Sequence, residues 1–322
     1  MAKIIVTGVA GFIGSNLASR LIRDQHQVVG IDNLSYGLSR NIQTLLQSKD
    51  FTFIHGDLNN PFILTEHRAD VIVHLASQKI PRYTNALRTL EENHSILKNV
   101  LDKCVIDGSK LVYASTSDVY GKNPNLPFHE ESDLCIGPTT VKRWAYAVSK
   151  IHGEQLIQAF SDQYKIDYTI CRFFGSFGPH QNLTWWGGPQ SLFISNSLNK
   201  TPIEIHGDGM QRRTFTFIED TVEGLQYCTL HKNASREIFN VAGPVENEIT
   251  IKDLATTIWL MINPDTEPLL EFKPYAAFGK YEDVLRRVPD NSKISKMLGF
   301  TPKVSLKEGL LRTIEWQRNL DQ

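Results

Sequence analysis

The stretch Lys3-Ile4-Ile5-Val6-Thr7-Gly8-Val9-Ala10-Gly11-Phe12-Ile13-Gly14 decides the reading of this chain. Lys3 to Thr7 reads as a buried strand, and Gly8, Gly11 and Gly14 form a glycine turn that opens into a helix. Phe12, Ile13, Leu17, Leu21 and Ile22 then recur at helical spacing. Glycines let the main chain approach a pyrophosphate, which the free N–H groups and dipole of a helix start attract. The spacing is G-x-x-G-x-x-G and departs from the commoner G-x-G-x-x-G. A second strand, Gln27 to Ile31, runs into Asp32, about twenty residues after Gly11, where a carboxylate accepts hydrogen bonds from an adenosine ribose. Such a carboxylate repels a 2′-phosphate, so NAD is favoured over NADP. The plainer role for Asp32 is to cap the segment that follows.

Strand and helix keep alternating. Phe51 to His55, Val71 to Leu75 and Lys110 to Ala114 read as strands, and Arg40 to Ser48, Leu87 to Asp107 and Ala145 to Tyr164 as helices. This order predicts an α/β fold, a Rossmann-type doubly wound parallel sheet covered on both faces. Ligands of such sheets sit beyond the carboxyl ends of the strands, so the turns after Thr7, Asp32, His55, Leu75 and Ala114 face one cleft.

Two further patterns belong to that cleft. Tyr146 and Lys150 lie four apart in a helical segment, on one face, where an ammonium favours the phenolate and makes Tyr146 a candidate general base. Ser115-Thr116-Ser117-Asp118 supplies hydroxyls and a carboxylate at a strand end, where a hydroxyl can bond the reacting oxygen. A serine-rich turn that only caps a helix would look the same.

Composition excludes several classes. The 34 basic and 35 acidic residues give a net charge of −1, which points to neither nucleic acid nor an anionic membrane. Four scattered cysteines form no C-x-x-C pair, the histidines show no ligand spacing, and no apolar run approaches the roughly 20 residues that span a bilayer. The expectation is a metal-free protein of the reducing cytoplasm.

With these motifs in place, the chain resembles the extended short-chain dehydrogenase/reductases of the nucleotide-sugar epimerase, dehydratase and decarboxylase group. The resemblance runs nearly the whole length, through Gly8 to Gly14, Asp32-Asn33-Leu34, Gly56-Asp57-Leu58, His74-Leu75-Ala76, Ser115 to Gly121, Tyr146 with Lys150, Arg172-Phe173-Phe174, Gly207-Asp208-Gly209 with Arg213, and Arg287-Val288-Pro289-Asp290. It implies an NAD-binding domain of about residues 1–174 plus 214–243. A smaller, discontinuous nucleotide-sugar domain of about 175–213 plus 244–322 would complete the chain. It further implies cofactor contacts from Gly8, Gly11, Phe12, Ile13, Gly14, Asp32, Asn33, Asp57, Leu58, Leu75, Ala76, Lys79 and Phe173. Catalysis would fall to Thr116, Tyr146, Lys150 and Asp118, and substrate contacts to Thr116, Tyr146, Arg213 and Arg287, the arginines gripping a diphosphate. Arg82 would pair with a carboxylate or cap its own helix. The two long helices imply a homodimer.

The implied chemistry passes through a 4-keto UDP-sugar. A 4-epimerase acting on a hexose or hexuronate ranks first, because it needs only the shared Thr, Tyr and Lys. A UDP-glucuronate decarboxylase ranks close behind: Ser117 and the runs Gly137 to Trp144 and Tyr281 to Val284 are similar to those of enzymes acting on UDP-glucuronate, but Asp118 is one methylene shorter than the usual Glu. A 4,6-dehydratase ranks lower, since Ser117-Asp118 replaces Asp-Glu. An NAD-sensing binding protein would usually lack the Tyr and Lys. Gly175 stands where most members have Asn. The loop with Trp185 and Trp186 fits either a substrate lid or simple packing.

Overall fold

The computed structural model describes residues 1–79 and 86–320. Strands β1 (Lys3–Thr7), β2 (Gln27–Asp32), β3 (Phe51–His55), β4 (Val71–His74), β5 (Lys110–Thr116) and β6 (Tyr168–Phe173) share one sheet with a seventh strand, Glu237–Val241. Its order is the seventh strand, β6, β5, β4, β1, β2, β3, with every pairing parallel. The chain leaves β1 toward β3 and returns to the far side of β1 for β4. A crevice therefore opens between β1 and β4 at their carboxyl ends.

Eight helices complete the described chain: α1 (Phe12–Arg23), α2 (Ala86–Asp107), α3 (Trp144–Tyr164), α4 (Pro189–Leu198), α5 (Ile218–Leu230), α6 (Ile251–Ile262), α7 (Ser292–Leu298) and α8 (Leu306–Arg318). Alternation along β1 sends Ile4 and Val6 to one face, where they join Leu17 and Leu21 of α1 and Leu225 of α5. Ile5 faces the other way, with Leu97 and Leu101 of α2 and Ile157 of α3. Each such side chain contributes roughly 1.5–3 kcal/mol by leaving water. Helix α4 packs on α6 and α8, and the short strands Arg212–Thr214, Glu248–Thr250 and Arg286–Arg287 form a small sheet beside the crevice.

Three parts of the sequence reading need correction. Arg40 to Ser48 is no α-helix but two 3-10 turns, Ser39–Ile42 and Leu45–Gln47, which bury Ile42 and Leu45 at a three-residue spacing. The loop with Trp185 and Trp186 gives way to a helix that was not foreseen: Pro189 sits in the first turn of α4, where its missing N–H costs nothing. Strand β6 and helix α7 were not foreseen, and α7 is closed by Gly299 in the left-handed conformation at φ 78°. Arg82 lies outside the described residues. Among them, no helix is long and apolar enough to cross a membrane.

A buried ion pair ties the site-bearing elements together. Glu154 of α3 accepts from Arg172 of β6 at 3.0 and 2.7 Å and from the Ser115 hydroxyl of β5. Arg172 Nη1 donates to the Tyr120 hydroxyl at 3.1 Å and to the Glu130 carbonyl at 2.9 Å. Both charges are almost fully buried, so removing one leaves the other unpaired. Glu154→Ala is expected to lower the unfolding free energy by about 3–5 kcal/mol, read from the urea midpoint by far-UV circular dichroism.

Candidate active site

The crevice is a cavity of about 620 Å³. At its β1 end the glycines are there because the main chain leaves no room for a side chain. Gly8 has φ +69°, and a Cβ on Gly14 would lie 2.3 Å from the Gly8 carbonyl oxygen. Gly11, Phe12 and Ile13 line the same wall. Asp32 closes the next strand, its carboxylate accepting from the Ala10 N–H at 2.9 Å and the Leu34 N–H at 2.7 Å. It therefore caps the following turn and faces the cavity at once. Burial pushes its carboxyl up, and those two backbone N–H groups partly offset that.

Further along this wall, Asn33 donates to Asp57 at 3.0 Å beside Leu58, and Thr7 Oγ1 accepts from the Leu75 and Ala76 N–H groups. Phe173 completes it. Lys79 reaches the Trp186 carbonyl at 3.3 Å. The Trp186 ring lies 4.1 Å from that of Tyr36 and the Trp185 ring 4.6 Å from that of His206, so the tryptophan loop crosses the cavity from its β2 side to the Ile203–His206 strand.

Thr116 ends β5 and Tyr146 lies in the first turn of α3, and both line the cavity with Lys150. Thr116 donates to Asp118 at 3.1 Å and accepts from the Asp118 N–H at 3.2 Å, so this turn is also a capped one. The expected acidified phenol is not what these residues produce by themselves. Burial and then the Asp118 carboxylate push the Tyr146 phenol above its ordinary value, against a hydrogen bond with Thr116. Lys150 does not offset this, because its ammonium donates to the Ala114 carbonyl at 2.7 Å and stands 5.9 Å from the Tyr146 ring centre. Burial pushes Lys150 down to about 7, with Glu154 acting the other way.

Beyond Thr116 the cavity becomes a ladder of alternating charge. Asp118 pairs with Arg287 at 2.6 Å and Arg143 at 3.1 Å; Asp283 pairs with Arg143 at 3.0 Å and Arg213 at 2.9 Å. Burial alone would raise the Asp118 carboxyl, but the two arginines outweigh it and hold it well below the usual carboxylate range. Asp118 is therefore a fixed anion and not a group that gives and takes a proton near neutrality. Arg213 is pushed down to about 10, chiefly by burial and next by Arg287.

Arg213 and Arg287 were named from sequence; Arg143 and Asp283, which join them, were not. The runs holding both had been noticed, but their pairing across the chain leaves no local trace. Asn93 is buried on α2 and was not named from sequence. It also ties the Ser77-Gln78 turn to Ser149, the neighbour of Lys150, with hydrogen bonds of 2.7 Å from the Gln78 N–H and 3.0 Å to Ser149.

Comparison with known proteins agrees with this geometry. A model of the NAD dependent epimerase/dehydratase family matches residues 4–242. A UDP-N-acetyl-alpha-D-glucosaminuronate decarboxylase of Bacillus cytotoxicus is 31% identical, covering 99% of this chain and 98% of its own length. UDP-glucuronic acid decarboxylase 1 of Arabidopsis thaliana is 33% identical over 98% of this chain and 70% of its own. The crystal structure of a UDP-glucuronic acid 4-epimerase from Bacillus cereus, in complex with UDP-glucuronic acid and NAD, superposes with a TM-score of 0.87 at 28% identity, covering 99% of each chain.

The cofactor is NAD, and the residues fit it: a glycine-walled helix start for the pyrophosphate and a buried carboxylate at the end of β2 for the ribose. Gly14→Ala must push the Gly8 carbonyl out of the turn. It should weaken NAD binding by at least about tenfold, or roughly 1.4 kcal/mol, measured by fluorescence titration of the stripped protein. Lys150 gives a second expectation. With its folded value near 7 and an unfolded one of about 10.4, the unfolded chain holds a proton that the folded chain has shed. NAD-free protein should therefore gain stability as pH rises through that window, and urea midpoints of Lys150→Met should show a flatter rise.

Proposed function

Because the chain belongs to the NAD dependent epimerase/dehydratase family, we propose that it oxidises carbon 4 of a UDP-hexuronate and releases the decarboxylated UDP-pentose. The observation that carries this reading is the cluster of three arginines against two aspartates, reaching from the nucleotide-sugar side of the cavity to Thr116. One unit of positive charge is left in a buried place, which favours a ligand richer in anions than a neutral sugar. The carboxylate of a hexuronate sits one carbon from the carbon that Thr116 and Tyr146 would address. The decarboxylase relatives support the same order, which reverses the ranking drawn from sequence.

In this reading Tyr146 removes the 4-hydroxyl proton, and Thr116 hydrogen-bonds the same oxygen through the transition state. Bound NAD supplies the hydride acceptor and a positive charge that helps the phenol ionise. The sugar is then a β-keto acid, and the bond from carbon 5 to the carboxylate breaks with its electrons passing into the 4-oxygen. Tyr146, now protonated, stabilises that enolate as a hydrogen-bond donor, a role that its raised pKa suits. A solvent proton then adds to carbon 5. With the hydride given back to carbon 4 and the Tyr146 proton to its oxygen, the UDP-pentose leaves and the oxidised cofactor is restored. Arg213 and Arg287 would hold the diphosphate, and the segments of about 175–213 and 244–322 would cradle the nucleotide.

A second reading, UDP-hexuronate 4-epimerase, is favoured by the locked state of Asp118, which offers no proton for carbon 5. The protein is also proposed to form a cytoplasmic homodimer through α2 and α3. On their outer side, His94 and His152 meet at 3.0 Å, each one turn from an exposed apolar residue, Leu90 or Val148.

Incubation with UDP-glucuronate, UDP-N-acetylglucosaminuronate and UDP-glucose, followed by mass and proton spectra, separates the outcomes. Loss of carbon dioxide is expected from a uronate; an isomer of unchanged mass would establish the epimerase instead. Tyr146→Phe should cut turnover by at least about 100-fold with NAD still bound, and retained turnover would require a different base.

A further inference from the structure

Arg213 and Arg287 are register partners on adjacent parallel strands, Arg212–Thr214 and Arg286–Arg287, so two like charges start out side by side. Such neighbours repel, and burial increases the repulsion. Each is held by a different carboxylate. Arg287 leans on Asp118, Arg213 on Asp283, and Arg143 at the head of α3 joins the two carboxylates. Both oxygens of Asp283 are engaged: Oδ1 accepts from Arg143, from Arg213 and, at 2.8 Å, from the Val284 N–H, while Oδ2 accepts from the Tyr275 hydroxyl at 2.9 Å. It thus joins the loop before Arg286 to a helix that starts two residues before Tyr146. Of the two carboxylates it lies farther from Thr116 along the ladder. Its effect should fall on nucleotide-sugar binding first.

We propose that Asp283 is a positioning residue for the nucleotide sugar, fixing the Arg213 guanidinium beside Arg287 at the spacing that a diphosphate requires. The inference rests on the reading of Arg213 as an anion-binding residue. Without Asp283, Arg213 retreats from its like-charged neighbour, and the diphosphate has to supply the bridge itself.

Calorimetric titration of UDP into the NAD-loaded protein tests this. Asp283→Asn, which keeps shape and loses charge, is expected to weaken UDP at least tenfold, with bound NAD close to wild type. Asp283→Glu should recover part of the loss. Unchanged UDP affinity in Asp283→Asn overturns the proposal, as does a fall matched by an equal loss of NAD. Arg213→Met is the control: if it leaves UDP binding intact, the diphosphate reading of Arg213 fails. If it weakens UDP while Asp283→Asn does not, only the role of Asp283 fails. Should Asp283→Asn not fold, Tyr275→Phe, at a half-buried position, carries the test. A loss of UDP affinity of severalfold supports the proposal, and none overturns it.

Discussion

The buried carboxylate of Glu154 fixes how the three elements that carry the candidate site stand to one another. It sits one helical turn after Lys150 on α3, bonds the hydroxyl next to Thr116 on β5, and forms a two-point pair with Arg172 on β6. Rotation of α3 would break these bonds together, so the distance from Tyr146 to Thr116 is set by a polar constraint inside an otherwise apolar layer. A charge so placed is costly unless well paired, and here each nitrogen of the arginine that meets it has a named acceptor.

Around that frame, the cavity is polarised along its length. The β1 end offers main-chain N–H groups and a carboxylate for a dinucleotide, and the far end offers arginines whose charge two aspartates nearly cancel. Such partial cancellation keeps three guanidinium groups close together and still leaves the site attractive to an anion. The same arrangement holds the Asp118 carboxyl well below the usual range beside Thr116, and burial together with that carboxylate holds the Tyr146 phenol above its ordinary value.

Most of the sheet could be read in the chain because burying both faces of a parallel strand demands a short apolar run, and the turns between runs carry glycine or aspartate. Helix α3 and the glycine turn were legible for the same local reason. Arg40 to Ser48 misled, since two apolar residues three apart serve a 3-10 turn as well as an α-helix. At α4 the breakers marked a helix start, and proline in a first turn resembles proline in a loop. Each sequence-named site residue within the described segments lines the one cavity, yet the state of those residues was read less well than their place.

What the sequence determined by itself was everything set by neighbours along the chain: the strand-turn-helix order, the glycines that a close main-chain approach demands, the acid closing β2, and the Tyr and Lys on one helical face. Only the tertiary structure decided the charges. Arg143 meets Asp118 and Asp283, and Glu154 meets Arg172, because packing brings together segments that are far apart in the chain. A pKa depends on burial and on charges a few ångströms away, and neither follows from spacing along a helix. The chain therefore specified which groups would gather, and the fold specified which of them carry a proton.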